Sequence, residues 1–152
     1  MSNLVSLSTA KAAEAGVEIS ILHPVTDEPL GVMITVYGAD SKTCRQIQRR
    51  QTNHRLEMQA KQKQQFKKKP VTTAEQLEAE GLDLLVGCTK SWRTLIYDEE
   101  GKETGSRPQI EMAEGEWLDC TPENVRKLYQ EIPWVKEQID GEIGDRSNFL
   151  QS

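Results

Sequence analysis

Histidine and cysteine are scarce in this chain of 152 residues, which contains two of the first and three of the second. Cys44, Cys88 and Cys120 lie far apart without CxxC spacing, so we expect reduced thiols and no disulfide framework. His23 and His54 fall in different predicted elements with no further ligand at metal spacing, and we expect no metal or cofactor. The motifs GxxxxGK[ST] and GxGxxG are absent. These absences predict a protein that is not an enzyme.

Long apolar runs are missing as well. No stretch approaches the roughly 18 apolar residues of a membrane span, and the start MSNLVSLSTAKAAEAG does not resemble a signal peptide. We therefore expect no membrane contact. Hydrophobic residues make up 36% of the chain, below the roughly 45–50% that is usual when glycine is counted too. The core should be modest, and part of the chain should be solvated or covered by a partner.

Charge is distributed unevenly along the chain, whose net charge is −5. The segment from Lys42 to Lys69 holds ten basic residues and one acid, Glu57, whereas the remainder is strongly acidic. Such a segment can meet an acidic surface, on a neighbouring copy or on residues 98–119, or it can contact phosphates. Nucleic acid is the less favoured partner, because Phe66 is the one aromatic residue in the segment. The candidate basic face consists of Arg45, Arg49, Arg50, Arg55 and Lys61.

The pattern of apolar residues predicts an α+β fold: an N-terminal β-hairpin, then three to four helices, with a loop or short hairpin before a kinked C-terminal helix. Residues 1–16 are expected to be a flexible lead, and residues 17–150 a single domain. The predicted order is a β-hairpin over 17–40, a basic projecting helix over 41–69, a core helix over 71–96, an acidic loop or hairpin over 97–120, and kinked helices over 121–150. A capping box formed by Thr72 and Glu75 is expected at the start of the core helix.

The C-terminal segment combines a helix pattern with an interior proline. Thr121 and Pro122 suit a helix start, and Pro133 should make the helix kink or restart near Ile132. An apolar stripe follows, and two large apolar residues stand almost at the end of the chain. The stripe can dock on its own domain or on another chain. The candidate protein-binding residues are Ile132, Trp134, Val135, Ile139, Ile143, Phe149 and Leu150.

Four stretches, taken in order, resemble a known family. They are "GVMITVYGADS", "EQLEAEGLDLLVGCTKSW", "LDCTPENVRKLYQEIPWVKEQID" and "IGDRSNFL". Together they are similar to the small tail assembly chaperones of long-tailed bacteriophages over about residues 17–150. The stretch 98–116 is longer than the family pattern between the Trp element and the Thr-Pro cap.

The resemblance implies a non-enzymatic protein of the host bacterial cytoplasm. It would bind the helical tape measure protein, keep it soluble and help recruit tail tube subunits, and it would form homo-oligomers. Two alternatives stay open. The chain could be a minor structural or adaptor subunit retained in the tail, or a nucleic-acid-binding regulator that uses the basic helix.

Overall fold

The computed structural model describes residues 4–66 and 73–150 and has the predicted α+β architecture with an N-terminal β-hairpin. Its main sheet is antiparallel in the order β1-β2-β3-β4 and contains β1 Val17–Leu22, β2 Pro29–Val36, β3 Thr89–Tyr97 and β4 Glu103–Arg107. A second, two-stranded sheet pairs β5 Gln109–Ala113 with β6 Glu116–Asp119. The α-helices are α1 Ala10–Ala15, α2 Lys42–Phe66, α3 Ala74–Cys88, α4 Pro122–Glu131 and α5 Pro133–Gly144. Short 3₁₀ turns cover Val5–Leu7 and Arg146–Phe149.

The main sheet buries one face and leaves the other to solvent. Ile34 pairs with Ile19 on one side and with Trp92 on the other, and all three side chains are buried. The neighbouring positions point to the opposite face, where Glu18 and Arg93 form a two-point ion pair at 2.7 and 2.8 Å. This alternation is the period-two pattern that predicted the hairpin.

The predicted core helix over 71–96 is wrong in its second part, because the helix ends at Cys88 and strand β3 begins at Thr89. Trp92 belongs to that strand and donates its indole N–H to the carbonyl of Leu118 at 3.0 Å. Because β3 pairs with both β2 and β4, its residues adopt the extended conformation of a strand, although the apolar residues of this region also have helical spacing. The capping box joins Thr73 and Gln76 instead of the predicted pair Thr72 and Glu75, and Thr72 lies outside the described residues.

The acidic stretch is ordered into strands to a greater extent than expected. The short hairpin is confirmed, with Ile110 opposite Leu118 in the β5–β6 register. The segment before it is not a loop, because β4 pairs with β3 as the edge of the main sheet. The hydroxyl of Thr94 donates to the carbonyl of Gln109 at 2.7 Å and ties the hairpin to β3.

The lead over residues 1–16 was expected to be flexible, and from Ala10 onward this is wrong. Helix α1 packs into the domain, with Ala13 1% exposed and its carbonyl accepting from the Gly38 amide at 3.0 Å. The small side chains of the helix let it approach the backbone closely, which composition alone did not indicate. Residues 1–3 lie outside the described part of the chain.

The expectation of reduced thiols is corrected for two of the three cysteines. Cys44, in the first turn of α2, and Cys88, the last residue of α3, form a disulfide with their Cα atoms 5.8 Å apart. That spacing is normal for disulfides. Cys120 is free and half-buried, and burial raises the pKa of its thiol to about 11. The disulfide fixes the base of a helical pair formed by α2 and α3.

Candidate interaction surfaces

The predicted interruption of the C-terminal helix is confirmed. Helix α4 starts at Pro122, with the Thr121 hydroxyl accepting from the Asn124 amide at 3.2 Å, and ends at Glu131. Ile132 leaves the helical region (φ −126°, ψ 76°), and Pro133 is the first residue of α5. A proline cannot donate to the preceding turn, so two helices replace one. This changes the direction of the chain before the apolar stripe.

Most of the stripe is part of the core. Val135, Ile139, Ile143 and Phe149 are exposed by 5%, 0%, 8% and 2%. The apolar area of Ile139, Ile143 and Phe149 is therefore already covered by the domain itself in this conformation. Leu150 differs, since 48% of it is exposed.

Polar contacts fasten the C-terminal turn to the start of α2. The Arg146 guanidinium donates to both carboxylate oxygens of Asp40, at 2.9 and 3.1 Å. The hydroxyl of Thr9 donates to the same carboxylate. These hydrogen bonds, that of Arg146 foremost, hold the pKa of Asp40 at about 2. The Asn148 amide also donates to the Glu142 carbonyl at 3.0 Å. The tail therefore docks on its own domain.

An apolar pocket of about 180 Å³ lies where the α4–α5 break faces the main sheet and the small hairpin. We call it the α4–α5 pocket; it is lined by Ile21, Leu30, Val32, Ile34, Ile110, Glu111, Met112, Leu128, Ile132, Trp134 and Val135. It reaches the surface at Leu30, which is 43% exposed, and Ile132 and Trp134 are half-buried at its wall. Apolar cavities of about 150 Å³ hold a benzene ring. The pocket can therefore accept one large apolar side chain.

The pocket contains three of the predicted binding residues, and sequence reasoning missed the others. Leu30 and Val32 come from β2, and Ile110 and Met112 from β5. These segments are far apart in sequence: β2 pairs with β3, and β5 is held near β3 by the hydrogen bond from Thr94 to the Gln109 carbonyl. No local pattern in the sequence indicates such a site.

The candidate basic face is split between paired and open side chains. Arg55 forms an ion pair with Glu80 on α3, and Arg45 lies 3.8 Å from the Asp40 carboxylate. Arg49, Arg50 and Lys61 are exposed. Lys67, Lys68 and Lys69, which belong to the same charged segment, lie outside the described residues. One side of α2 therefore contacts α3, and its other sides carry basic side chains that are exposed to solvent.

A groove runs between α2 and α3. Its distal part, about 280 Å³, is lined by His54, Arg55, Met58, Gln59, Gln62, Gln76, Ala79, Glu80 and Asp83. A wider part of about 580 Å³ continues towards the start of α4 and is lined by Ile47, Arg50, Gln51, His54, Glu80, Asp83, Val86, Gly87, Thr89 and Pro122. We call both parts together the α2–α3 groove. Most of the residues that line it have polar or charged side chains, but much of the surface they present to the groove is apolar, whereas the α4–α5 pocket is apolar almost throughout.

Across residues 4–66 and 73–150, no three His, Cys, Asp or Glu side chains come together as a metal site would require. In the same ranges, no helix combines the length and apolar character needed to cross a membrane. Comparisons of the chain with protein-family models, with curated proteins and with solved structures find no match.

Proposed function

We propose that this protein is a non-enzymatic tail assembly chaperone of a bacteriophage. In the host bacterial cytoplasm it would bind the tape measure protein, keep it soluble and help recruit tail tube subunits. The proposal starts from the four resembling stretches, which occur in the family's order along the chain. It assigns to the protein a binding role and no chemical step.

The observation that carries the proposal is the α4–α5 pocket. A tape measure protein has long amphipathic helices that are uncovered before the tail forms, and such helices insert apolar anchors into grooves on their partners. The pocket is apolar, reaches the surface at Leu30, and has room for one large side chain. Its wall includes Ile132 and Trp134, from the stretch that carries the strongest family resemblance.

The test is co-expression with the tape measure protein from the same genome, followed by measurement of its soluble fraction and by pull-down. We expect the wild-type chain to raise the soluble fraction and to co-purify with it. Leu30→Asp places a charge at the mouth of the pocket and should reduce co-purification by about tenfold or more, because an unpaired charge at an apolar contact is costly. Val25→Asp is the matched control, since Val25 lies in the turn of the same hairpin and is 83% exposed.

Three results would contradict parts of this proposal. If the tape measure protein stays insoluble and does not co-purify, the chaperone function is wrong. If Leu30→Asp and Val25→Asp bind equally well, the pocket is not the binding site. If purified phage particles contain the chain in stoichiometric amount, the retained structural subunit replaces the chaperone.

A further inference from the structure

The α2–α3 groove lies between two helices that hold each other in place. Ile47 of α2 lies against Gly87 of α3 at the base of the pair, and Arg55 contacts Glu80 farther along, so the helices run antiparallel. Gln51 donates a hydrogen bond to the Glu80 carbonyl at 2.8 Å. The groove is therefore formed by contacts within the chain. Two helices packed side by side can accept a third helix along the groove between them.

The groove has the length of a partner helix of about four turns. Its α2 wall extends from Ile47 to Gln62, which is about 22 Å at 1.5 Å per residue. Its α3 wall extends from Gln76 to Gly87, which is about 16 Å. No residue lines both this groove and the α4–α5 pocket. The groove is therefore a second surface, separate from the one that carries the proposed function.

Apolar groups supply much of the surface inside the groove, although most of its lining residues are polar. Met58 and Ala79 line the distal part, and both are exposed, Met58 by 41%. Ile47 and Val86 line the wider part. A methionine side chain adapts to partners of different shape. An apolar strip with polar borders is the kind of surface on which an amphipathic helix docks through its apolar face.

The acids that line the groove are already paired within the chain. Glu80 forms an ion pair with Arg55, and Asp83 forms one with Arg126 of α4. Arg50 also lines the groove and is exposed. Among the described residues, it forms no ion pair. The uncompensated charge on the groove is therefore positive.

Basic side chains border the groove along α2. His54 lines both parts of the groove one turn after Arg50. Lys61 is exposed about three turns after Arg50, on the same side of the helix. Glu57 is the one acid of α2 and lines neither part of the groove. The edge of the groove formed by α2 is therefore positive and open, whereas the carboxylates on the α3 wall have partners.

We propose that the α2–α3 groove binds an acidic amphipathic helix of another protein. The apolar stripe of that helix would lie between α2 and α3 and cover Met58 and Ala79. Its acidic side chains would lie along the edge that faces α2 and meet Arg50. The inference goes beyond the proposed function, because it concerns a separate surface and does not depend on the tape measure protein.

Charge complementarity favours this occupant over a basic helix and over nucleic acid. A basic helix would bring like charge to Arg50, which opposes association. Duplex DNA would offer phosphates to Arg50 and Lys61 but would leave Met58 and Ala79 uncovered. An acidic amphipathic helix matches both the charge and the apolar strip. Because part of the attraction is electrostatic, raised salt should weaken the binding.

The test measures the binding of two fluorescent helical peptides to the full-length chain by anisotropy. Each peptide has about 18 residues, with leucine at i, i+3, i+4 and i+7 along one face. The first peptide carries glutamate on both flanks of that face, and the second carries lysine at the same positions. At about 50 mM NaCl we expect the acidic peptide to bind with a micromolar Kd and the basic peptide to bind about tenfold more weakly or worse.

Substitutions in the groove have matched controls on the same helix. Arg50→Glu should raise the Kd of the acidic peptide about fivefold or more, because it reverses the charge that the glutamates meet. Arg49→Glu makes the same change at an exposed residue outside the lining and should alter Kd by less than about twofold. Met58→Asp should raise Kd about tenfold or more, whereas Leu56→Asp, which is exposed and outside the lining, should have little effect.

A reciprocal comparison separates this inference from the proposed function. Leu30→Asp, at the mouth of the α4–α5 pocket, should leave the Kd of the acidic peptide unchanged. Met58→Asp should leave co-purification of the tape measure protein unchanged. All substituted residues are exposed, and circular dichroism melting will verify that each variant folds. If Met58→Asp does not fold, the comparison of Arg50→Glu with Arg49→Glu decides.

The proposal is overturned if the acidic peptide fails to bind at about 0.1 mM protein, or if the basic peptide binds equally well. Equal effects of Arg49→Glu and Arg50→Glu would also overturn it. Loss of tape measure co-purification in a folded Met58→Asp variant would assign the groove to that protein instead. A wild-type dimer that Arg50→Glu dissociates in light scattering would assign it to a second copy. Salt-dependent duplex DNA binding that Arg50→Glu abolishes would assign the basic edge to phosphates.

Discussion

Replacing Phe149 by alanine should destabilise the protein strongly, although the residue stands three positions from the end of the chain. The ring is 2% exposed and lies so close to Gly38 that a Cβ built there would be 3.0 Å from two ring carbons. Removing a buried Phe ring costs its transfer free energy and leaves a cavity, together about 3–5 kcal/mol. In a chain of this length each kcal/mol lowers Tm by roughly 2–4 °C. We therefore expect Tm to fall by roughly 6–20 °C.

The measurement is urea unfolding followed by tryptophan fluorescence, with Tm from circular dichroism. Leu150→Ala is the control, because Leu150 is 48% exposed and should lose only about 0.5 kcal/mol. If Phe149→Ala loses less than about 1 kcal/mol in a cooperative transition, the ring is not part of the core. It would then be available to a partner, as the sequence pattern alone allowed.

Further predictions concern the close packing at Gly38, the Asp40 carboxylate and the disulfide. Gly38→Ala should lower the free energy of unfolding by about 1–3 kcal/mol in urea, because the new Cβ would lie 2.7 Å from a side chain of α1. The control is Gly141→Ala in the exposed part of α5, which should stabilise the protein by up to about 1 kcal/mol. Equal effects of the two substitutions would contradict the close packing at residue 38. The pKa of Asp40 is lowered to about 2 by Arg146, so its stabilising contribution is complete above the unfolded pKa near 3.8 and is lost as pH falls towards 2. Asp40→Asn should flatten the acid side of the stability–pH curve, and an unchanged curve would show that this carboxylate is not linked to folding. The disulfide between Cys44 and Cys88 spans 44 residues, so its reduction should lower the free energy of unfolding by up to about 4 kcal/mol through the entropy of the unfolded chain. Dithiothreitol should therefore lower the Tm of wild type and leave the Tm of a C44S/C88S variant unchanged. If wild type does not respond, the two thiols are reduced in solution.

Local signals predicted the start and interruption of the C-terminal helices well, because neighbouring residues alone determine them. A threonine followed by a proline suits a helix start at residue 121 wherever the helix lies, and Pro133 cannot continue the preceding helix. For the β5–β6 segment the sequence allowed either a loop or a short hairpin. The β1–β2 hairpin followed from alternation and turn residues, as local in origin as the helix ends. These elements needed no knowledge of the remaining chain.

The boundary at Cys88 depended on distant residues. Leu85, Cys88 and Trp92 fit one helix face, but Trp92 also fits a strand whose register brings it opposite Ile34. The sheet offered pairing on both edges of β3, and this outweighed the helical spacing. The α4–α5 pocket was unpredictable for the same reason, since its walls come from β1, β2, β5 and the two C-terminal helices, which meet only in the folded chain.

The C-terminal stripe shows the limit of amphipathic patterns. Ile139 and Phe149 have the spacing and size of binding residues, yet they fill the core of their own chain. A pattern reports that an apolar face will be covered and does not tell which molecule covers it. The surfaces that the fold leaves uncovered are different ones: the mouth of the α4–α5 pocket at Leu30 and the exposed side chains along the α2–α3 groove. Both are built from segments that are far apart in sequence, so no single amphipathic pattern indicates them.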